Sequence, residues 1–337
     1  LYLCGATAWY QGLLALLPAW SLAAGLSVRL FLARSQPSML PRMEYKDALP
    51  PEQATLVVVP ALITDAESLR GVIRQLEVHM LATRMEHCYY GVLGDFPDGK
   101  QAQRPGEGEL LRLAKSLVEE LNQKYPSPTP LFYYLHRRRT YQKADGLYMG
   151  WERKRGALCQ LVTLLTQGDA TPFVLLTHPL PQGIRYCLTL DADTVLPPGA
   201  LAKLVGAMAH PLHAPEWDDQ GVVRKGYGIL APRMAALPRG AAKSGFAWVA
   251  SGDSGLDSYF PLCGEFYQDV FGAGIFGGKG IFHVEAFARA LPRWIPENQV
   301  LSHDLLEGCF LRAGLVEDVT LYDCEPAGFI AWWKRQH

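Results

Sequence analysis

Leu1 to Val28 contain no Asp, Glu, Lys or Arg. An uncharged run this long exceeds the roughly 20 apolar residues that span a bilayer. No basic stretch precedes it, which argues against a cleaved leader. Pro18 divides it into Leu1–Leu17 and Ala19–Leu32, and Arg29, Arg34 and Arg42 follow. Those arginines place the downstream side in the cytoplasm by the positive-inside tendency, with Tyr2, Trp9, Tyr10 and Trp20 suited to the interface. A buried helical hairpin is the alternative. Whether residues 1–32 cross a bilayer, re-enter it or lie along it stays open. The seven cysteines form no C-x-x-C pair, so neither a disulfide framework nor a zinc site is expected. They read as small buried apolar groups in a reducing compartment. Charged residues make up 19% of the chain and the formal net charge is -1. That balance excludes a nucleic-acid partner bound by phosphate neutralisation. There is no internal repeat. No initiator Met is present, and the chain reads as part of something longer.

What is present alternates. Gln36 to Gln53, rich in Pro and mixed charge, reads as a linker. Thr55-Leu-Val-Val-Val-Pro60 is a β-branched run typical of a buried parallel strand. Thr64 and Asp65 offer an N-cap for a helix through about Met80. Further strands are expected over Tyr89–Leu93, Pro130–Leu135, Tyr186–Leu190 and Gly228–Pro232, with helices over Glu107–Lys124, Gly156–Thr166 and Ala200–Ala209. Alternation of this kind predicts right-handed β-α-β units, a mostly parallel sheet, and ligands beyond the strands' carboxyl ends. Asp95, the His136–Arg139 cluster and Asp191/Asp193 all fall at such ends.

The sharpest motif is Leu188-Thr-Leu-Asp-Ala-Asp-Thr194, an apolar strand ending in two aspartates on one side. Paired carboxylates there suit a divalent cation holding a diphosphate. With 16 Asp in 337 residues, roughly one Asp-x-Asp is expected by chance, so the case rests on the convergence of strand ends. Ser302-His-Asp-Leu-Leu-Glu307 opens a helix running to about Ala313. Asp304 there is either a general base or a helix-capping acid. Gly272-x-Gly274-x-x-Gly277 copies a dinucleotide fingerprint, but no buried strand leads into it and Gly278-Lys-Gly280 is a poor helix start. It reads as a glycine-rich wall with Lys279 available, or as a plain tight loop. Trp151-Glu-Arg-Lys-Arg-Gly156 and His136-Arg-Arg-Arg139 either stabilise a leaving diphosphate or form solvated faces. Trp332 and Trp333 either stack on sugars or anchor a helix at a membrane surface.

Together these residues resemble the glycosyltransferase segment of the cyclic β-1,2-glucan synthases. These are membrane-bound bacterial enzymes related to processive family-two transferases such as cellulose synthase. The carriers are Val57-Val-Val-Pro60, Gln75-Leu-Glu-Val-His79, Met149-Gly-Trp-Glu-Arg-Lys-Arg-Gly156, Leu188–Thr194, Gly226-Tyr-Gly-Ile-Leu230, Gly277-Gly-Lys-Gly-Ile281 and Leu301-Ser-His-Asp-Leu-Leu-Glu-Gly-Cys309. The resemblance implies an α/β, GT-A-like domain over 55–337, after a membrane-associated helical segment over 1–35 and a linker over 36–54. It implies UDP-glucose as donor, a β-1,2-glucan chain as acceptor, and a divalent cation (Mg2+ or Mn2+). Asp95 would contact the nucleotide base, and Lys154, with Arg155, would approach the nucleotide. Asp191 and Asp193 would position metal and diphosphate, with Asp193 the main ligand. Asp304 would be the base of an inverting transfer. His303, Glu307, Gly278, Lys279, Trp332 and Trp333 would face the acceptor. His303 stands where the family's Thr-Glu-Asp motif has Glu. Arg335-Gln-His337 matches only the start of the Gln-x-x-Arg-Trp motif. The implied setting is the bacterial inner membrane, catalytic side cytoplasmic, with further membrane helices and a phosphorylase module in the full-length protein. A transferase making another polysaccharide or glycolipid, and a non-catalytic scaffold of the same fold, are the competing readings.

Overall fold

The computed structural model describes residues 9–32, 39–46, 48–237, 244–246, 266–297, 299–300, 303–323, 328–330 and 333. The apolar run Thr55–Leu62 forms β1. Its side chains alternate between two cores. Val57 and Val59 pack into one cluster and Leu56 and Val58 into the other, as expected of a strand covered on both faces. β1 lies between β2 (Cys88–Asp95) and β7 (Tyr186–Thr189), parallel to both. β3 (Phe132–Arg137) continues the parallel set, and β6 (Phe173–Leu176) closes that edge antiparallel. On the other side β11 (Gly280–His283) runs antiparallel to β7 and to β10 (Ile229–Ala236). β12 (Ala313–Asp323) pairs parallel with β10. The order is β12-β10-β11-β7-β1-β2-β3-β6. Two hairpins stand outside this sheet: β4 (Arg139–Gln142) with β5 (Leu147–Gly150), and β8 (Glu216–Trp217) with β9 (Val223–Lys225).

The helices fill both faces. α2 (Ala66–Ala82), α3 (Glu107–Lys124) and α5 (Ala200–Met208) bury Leu69, Ile73, Val118, Leu201 and Leu204 in the first core. α4 (Arg153–Gln167) and α7 (Val284–Trp294) bury Leu158, Leu161, Phe287 and Leu291 in the second. The short α6 (Phe266–Phe271) and α8 (Asp304–Leu311) lie among the later strands in the chain. Asp65 caps α2, its side chain accepting from the Ser68 amide at 2.8 Å. The chain leaves β1 toward β2 on one side, and β7 flanks it on the other. The strand order therefore turns at β1, where open α/β sheets place their ligand crevice.

The N-terminal residues differ in part from what the sequence suggests. Trp9–Leu32 is one helix, α1, with Pro18 inside it rather than dividing it; a proline removes one backbone bond and the helix continues on both sides. No helix among the described residues is long and apolar enough to cross a membrane. The segment expected as a linker is tied to the body. The Met43 amide donates to the Gly206 carbonyl at 2.9 Å, and Leu49 is buried. Of the described cysteines, Cys88 and Cys187 are buried and Cys309 is exposed.

Burial also keeps several histidines neutral. Desolvation lowers His79 and His283 to about 4 and His136 to about 3, from 6.5. Depressed folded-state values mean the unfolded chain binds more protons below pH 6.5, so stability falls as pH drops from 6.5 toward 4. Each group is expected to cost on the order of 1–2 kcal/mol by pH 5. Urea midpoints at pH 7 and pH 5 test this, and His79→Leu should flatten the difference.

Candidate active site

The end of β7 runs into Asp191-Ala192-Asp193, as the motif predicts. Each oxygen of Asp191 holds a lysine. Lys154 Nζ donates to Oδ1 at 2.6 Å, and Lys279 Nζ lies 3.1 Å from Oδ2. Burial acts to raise the Asp191 carboxyl, but the two ammoniums outweigh it and hold it below its usual range. Lys279 is lowered by burial and raised more strongly by Asp191 and Asp323, so it stays charged. Asp193, two residues on, is exposed, with no ion pair or hydrogen bond to the described residues. The adjoining Thr194 is buried and donates Oγ1–H to Asp323 Oδ1 at 2.7 Å.

Lys154 also connects two distant parts of the chain. Besides Asp191, its ammonium donates to the Gly278 carbonyl at 2.8 Å. Gly278 has φ +84°, and a Cβ there would stand 2.8 Å from Asp304 Oδ2. Only a glycine lets the Asp304 carboxylate close against the loop that carries Lys279. The structure thus brings together Asp191, Lys154, Gly278, Lys279 and Asp304, from the end of β7, the first turn of α4, the glycine loop and the start of α8. His303 Nδ1 stands 3.4 Å from Asp304 Oδ1 and 2.9 Å from Glu307 Oε1. Burial pushes Glu307 up, with His303 pulling against it. Burial lowers His303, and Glu307 and Asp304 raise it further than that, leaving it above its usual range. These three side chains are close enough to share one cation.

Asp95 ends β2. Arg137 of β3 binds it with both arms, Nε donating to Oδ1 at 2.8 Å and the second terminal nitrogen meeting Oδ2. The same buried guanidinium donates to the carbonyls of Trp151 and Arg153, each at 2.9 Å. It therefore holds the turn from which Lys154 projects. In that turn Glu152 and Arg153 take left-handed backbone angles, φ 53° and 49°, and a Cβ on Gly156 would overlap the Trp151 carbonyl. Desolvation raises the Asp95 carboxyl while Arg137 opposes it.

Other candidates fall elsewhere. Arg155 turns away from Asp191 toward Glu152, at 2.9 Å, and the Ile295 carbonyl, at 3.3 Å. In the His136–Arg139 cluster only Arg138 is exposed. Arg137 serves Asp95, and Arg139 binds Glu107 and the Pro97 carbonyl. These are internal ties rather than phosphate contacts. The glycine loop follows the short helix α6 and leads into β11, not into a helix, which dismisses the dinucleotide fingerprint. Trp333 is exposed and packs near Phe329. Trp332, Ser302 and Arg335–His337 lie outside the described residues. Asp323 was missed, because nothing in the sequence marks β12 as ending beside Asp191.

Over 329 residues, 96% of this chain, the sequence is 40% identical to the cyclic beta-(1,2)-glucan synthase NdvB of Rhizobium meliloti (strain 1021). The likeness is to one segment of that cyclic beta-(1,2)-glucan synthase. The chain spans 12% of the length of that curated relative. No family model matches the chain. Among solved structures, similarity is found to the galactosyltransferase LgtC in complex with donor and acceptor sugar analogs. That match has 11% identity and a TM-score of 0.33, over 77% of this chain and 72% of that one. An active-site mutant of LgtC gives 10% identity and the same TM-score and coverage. A TM-score that low carries no fold assignment, so the synthase likeness rests on sequence.

Removing Arg137 should strand the part-buried Asp95 charge and release the turn that carries Lys154. Arg137→Met is expected to cost roughly 3–5 kcal/mol in urea unfolding. The double variant Arg137→Met/Asp95→Leu should recover much of that loss.

Proposed function

We propose that this chain is a GT-A-like, UDP-glucose-dependent inverting glucosyltransferase that elongates β-1,2-glucan. The observation that carries the reading is the double engagement of Lys154. One ammonium joins the Asp-x-Asp carboxylate to the loop against which Asp304 rests. A donor-side acid, a pair of lysines and an acceptor-side acid therefore share one pocket. The name of the synthase relative supports glucan as product, and the motif likeness supports UDP-glucose as donor.

The roles follow from charge and position. Asp304 takes the proton from the 2-hydroxyl of the acceptor glucose. That oxygen attacks C1 of the donor from the face opposite the diphosphate, and configuration inverts from α to β. As the C1–O bond breaks, negative charge grows on the departing diphosphate. Lys154 and Lys279 meet that charge by exchanging Asp191 for phosphate oxygens. Holding donor and acceptor in line supplies much of the rate. Asp193 fits a hard divalent cation, being an exposed carboxylate that no described group engages. Asp191 would join it only by yielding a lysine. A bound Mg2+ or Mn2+ would supply Lewis-acid stabilisation of the diphosphate.

Asp304→Asn should abolish transfer while leaving UDP-glucose affinity within about twofold of wild type. A variant that still elongates glucan near the normal rate would reject Asp304 as the base. Asp193→Ala should remove the Mn2+ dependence of UDP binding in a calorimetric titration. Equal Mn2+ dependence in variant and wild type would reject Asp193 as the ligand.

A further inference from the structure

Lys279 has two carboxylate partners that differ in kind. Asp191 is partly exposed, at 37% of its side chain, and already shared with Lys154. Asp323 is buried at the far end of β12, and its Oδ2 forms the shorter contact with the Lys279 ammonium. Its other oxygen, Oδ1, is fixed by Thr194 Oγ1–H at 2.7 Å. The backbone reinforces this fixation. The Val195 amide donates to the Tyr322 carbonyl at 2.7 Å, and the Tyr322 amide to the Val195 carbonyl at 3.2 Å. The end of β12 is therefore stitched to the residues just after the Asp-x-Asp motif.

Lys154 pairs with Asp191, and Lys279 pairs with both Asp191 and Asp323. A cation-bound diphosphate entering here competes for the lysines with Asp191, which is half-exposed. It does not compete with Asp323, which is walled in by Thr194 and β12. One partner of Lys279 is exchangeable and the other is permanent.

We infer that Asp323 is a positioning residue of the donor site: the fixed counter-ion that holds the Lys279 ammonium facing the diphosphate when Asp191 lets go. Without it, Lys279 has only Asp191 to bind, and a diphosphate that displaces Asp191 leaves the ammonium with no carboxylate to hold it in place. Thr194 acts one step further back, keeping the Asp323 carboxylate turned toward Lys279. The inference rests on the glycosyltransferase reading above and adds a residue that neither the motifs nor the synthase likeness assigns.

The test is calorimetric titration of UDP, with Mn2+ present, into the 337-residue chain and its variants. Asp323→Asn should weaken UDP about ten- to a hundredfold, the scale of one charge-assisted hydrogen bond. Asp323→Glu should recover part of the loss, and Thr194→Val should show a smaller loss in the same direction. In a Lys279→Met background, Asp323→Asn should have no further effect, because its route to the nucleotide is gone. Wild-type affinity in Asp323→Asn would overturn the inference. So would a full additional loss in the Lys279→Met background, which would mean that Asp323 acts through general stability. Failure of the wild-type chain to bind UDP would overturn the glycosyltransferase reading itself, and this inference with it.

Discussion

Lys154 holds the site together. Its ammonium bonds a carboxylate at the end of β7 and a carbonyl in the glycine loop, residues 37 and 124 positions away. Both bonds are charge-assisted and part-buried, where such contacts are stronger than at an open surface. Without that cation the Asp191 carboxylate would lose one of its two lysines and the Gly278 carbonyl its ammonium donor. The geometry of the pocket, and the proposed chemistry, depend on that lysine pointing where it does.

The fold supplies the direction. Lys154 lies in the first turn of α4, and the turn before it is shaped by left-handed backbone at Glu152 and Arg153. Arg137 grips the Trp151 and Arg153 carbonyls while neutralising Asp95. Three parallel strand ends are therefore linked across the pocket. β3 holds β2 through Arg137 and Asp95, the same arginine holds the start of α4, and α4 holds the residues after β7 through Lys154. Buried ion pairs of this kind contribute less to stability than to fixing one arrangement. Here the arrangement is the pocket.

Much of this was legible in the sequence. The β-branched run at Thr55, the apolar lead into Asp191 and the amphipathic Glu107–Lys124 each carry a local periodicity that settles their structure. The paired aspartates and Asp304 could be named as candidates because their residue types and strand-end or helix-start positions are local properties. What could not be read was partnership. Arg137 and Arg139 looked like free cations in a basic string. Only tertiary structure reveals that Asp95, 42 residues away, and Glu107, 32 away, neutralise them. Beyond Pro232 the glycine-rich sequence has little period, so β11, α7 and β12 were hidden, and Asp323 with them.

The most direct test of the shared pocket is an experimental density map of the chain with UDP and Mn2+. The account predicts diphosphate density between Asp193 and the two lysines, with Lys154 and Lys279 shifted from Asp191 onto phosphate oxygens. Asp304 should face the side of the pocket across from the diphosphate. Nucleotide density elsewhere on the molecule, or a diphosphate bound while both lysines remain on Asp191, would contradict it.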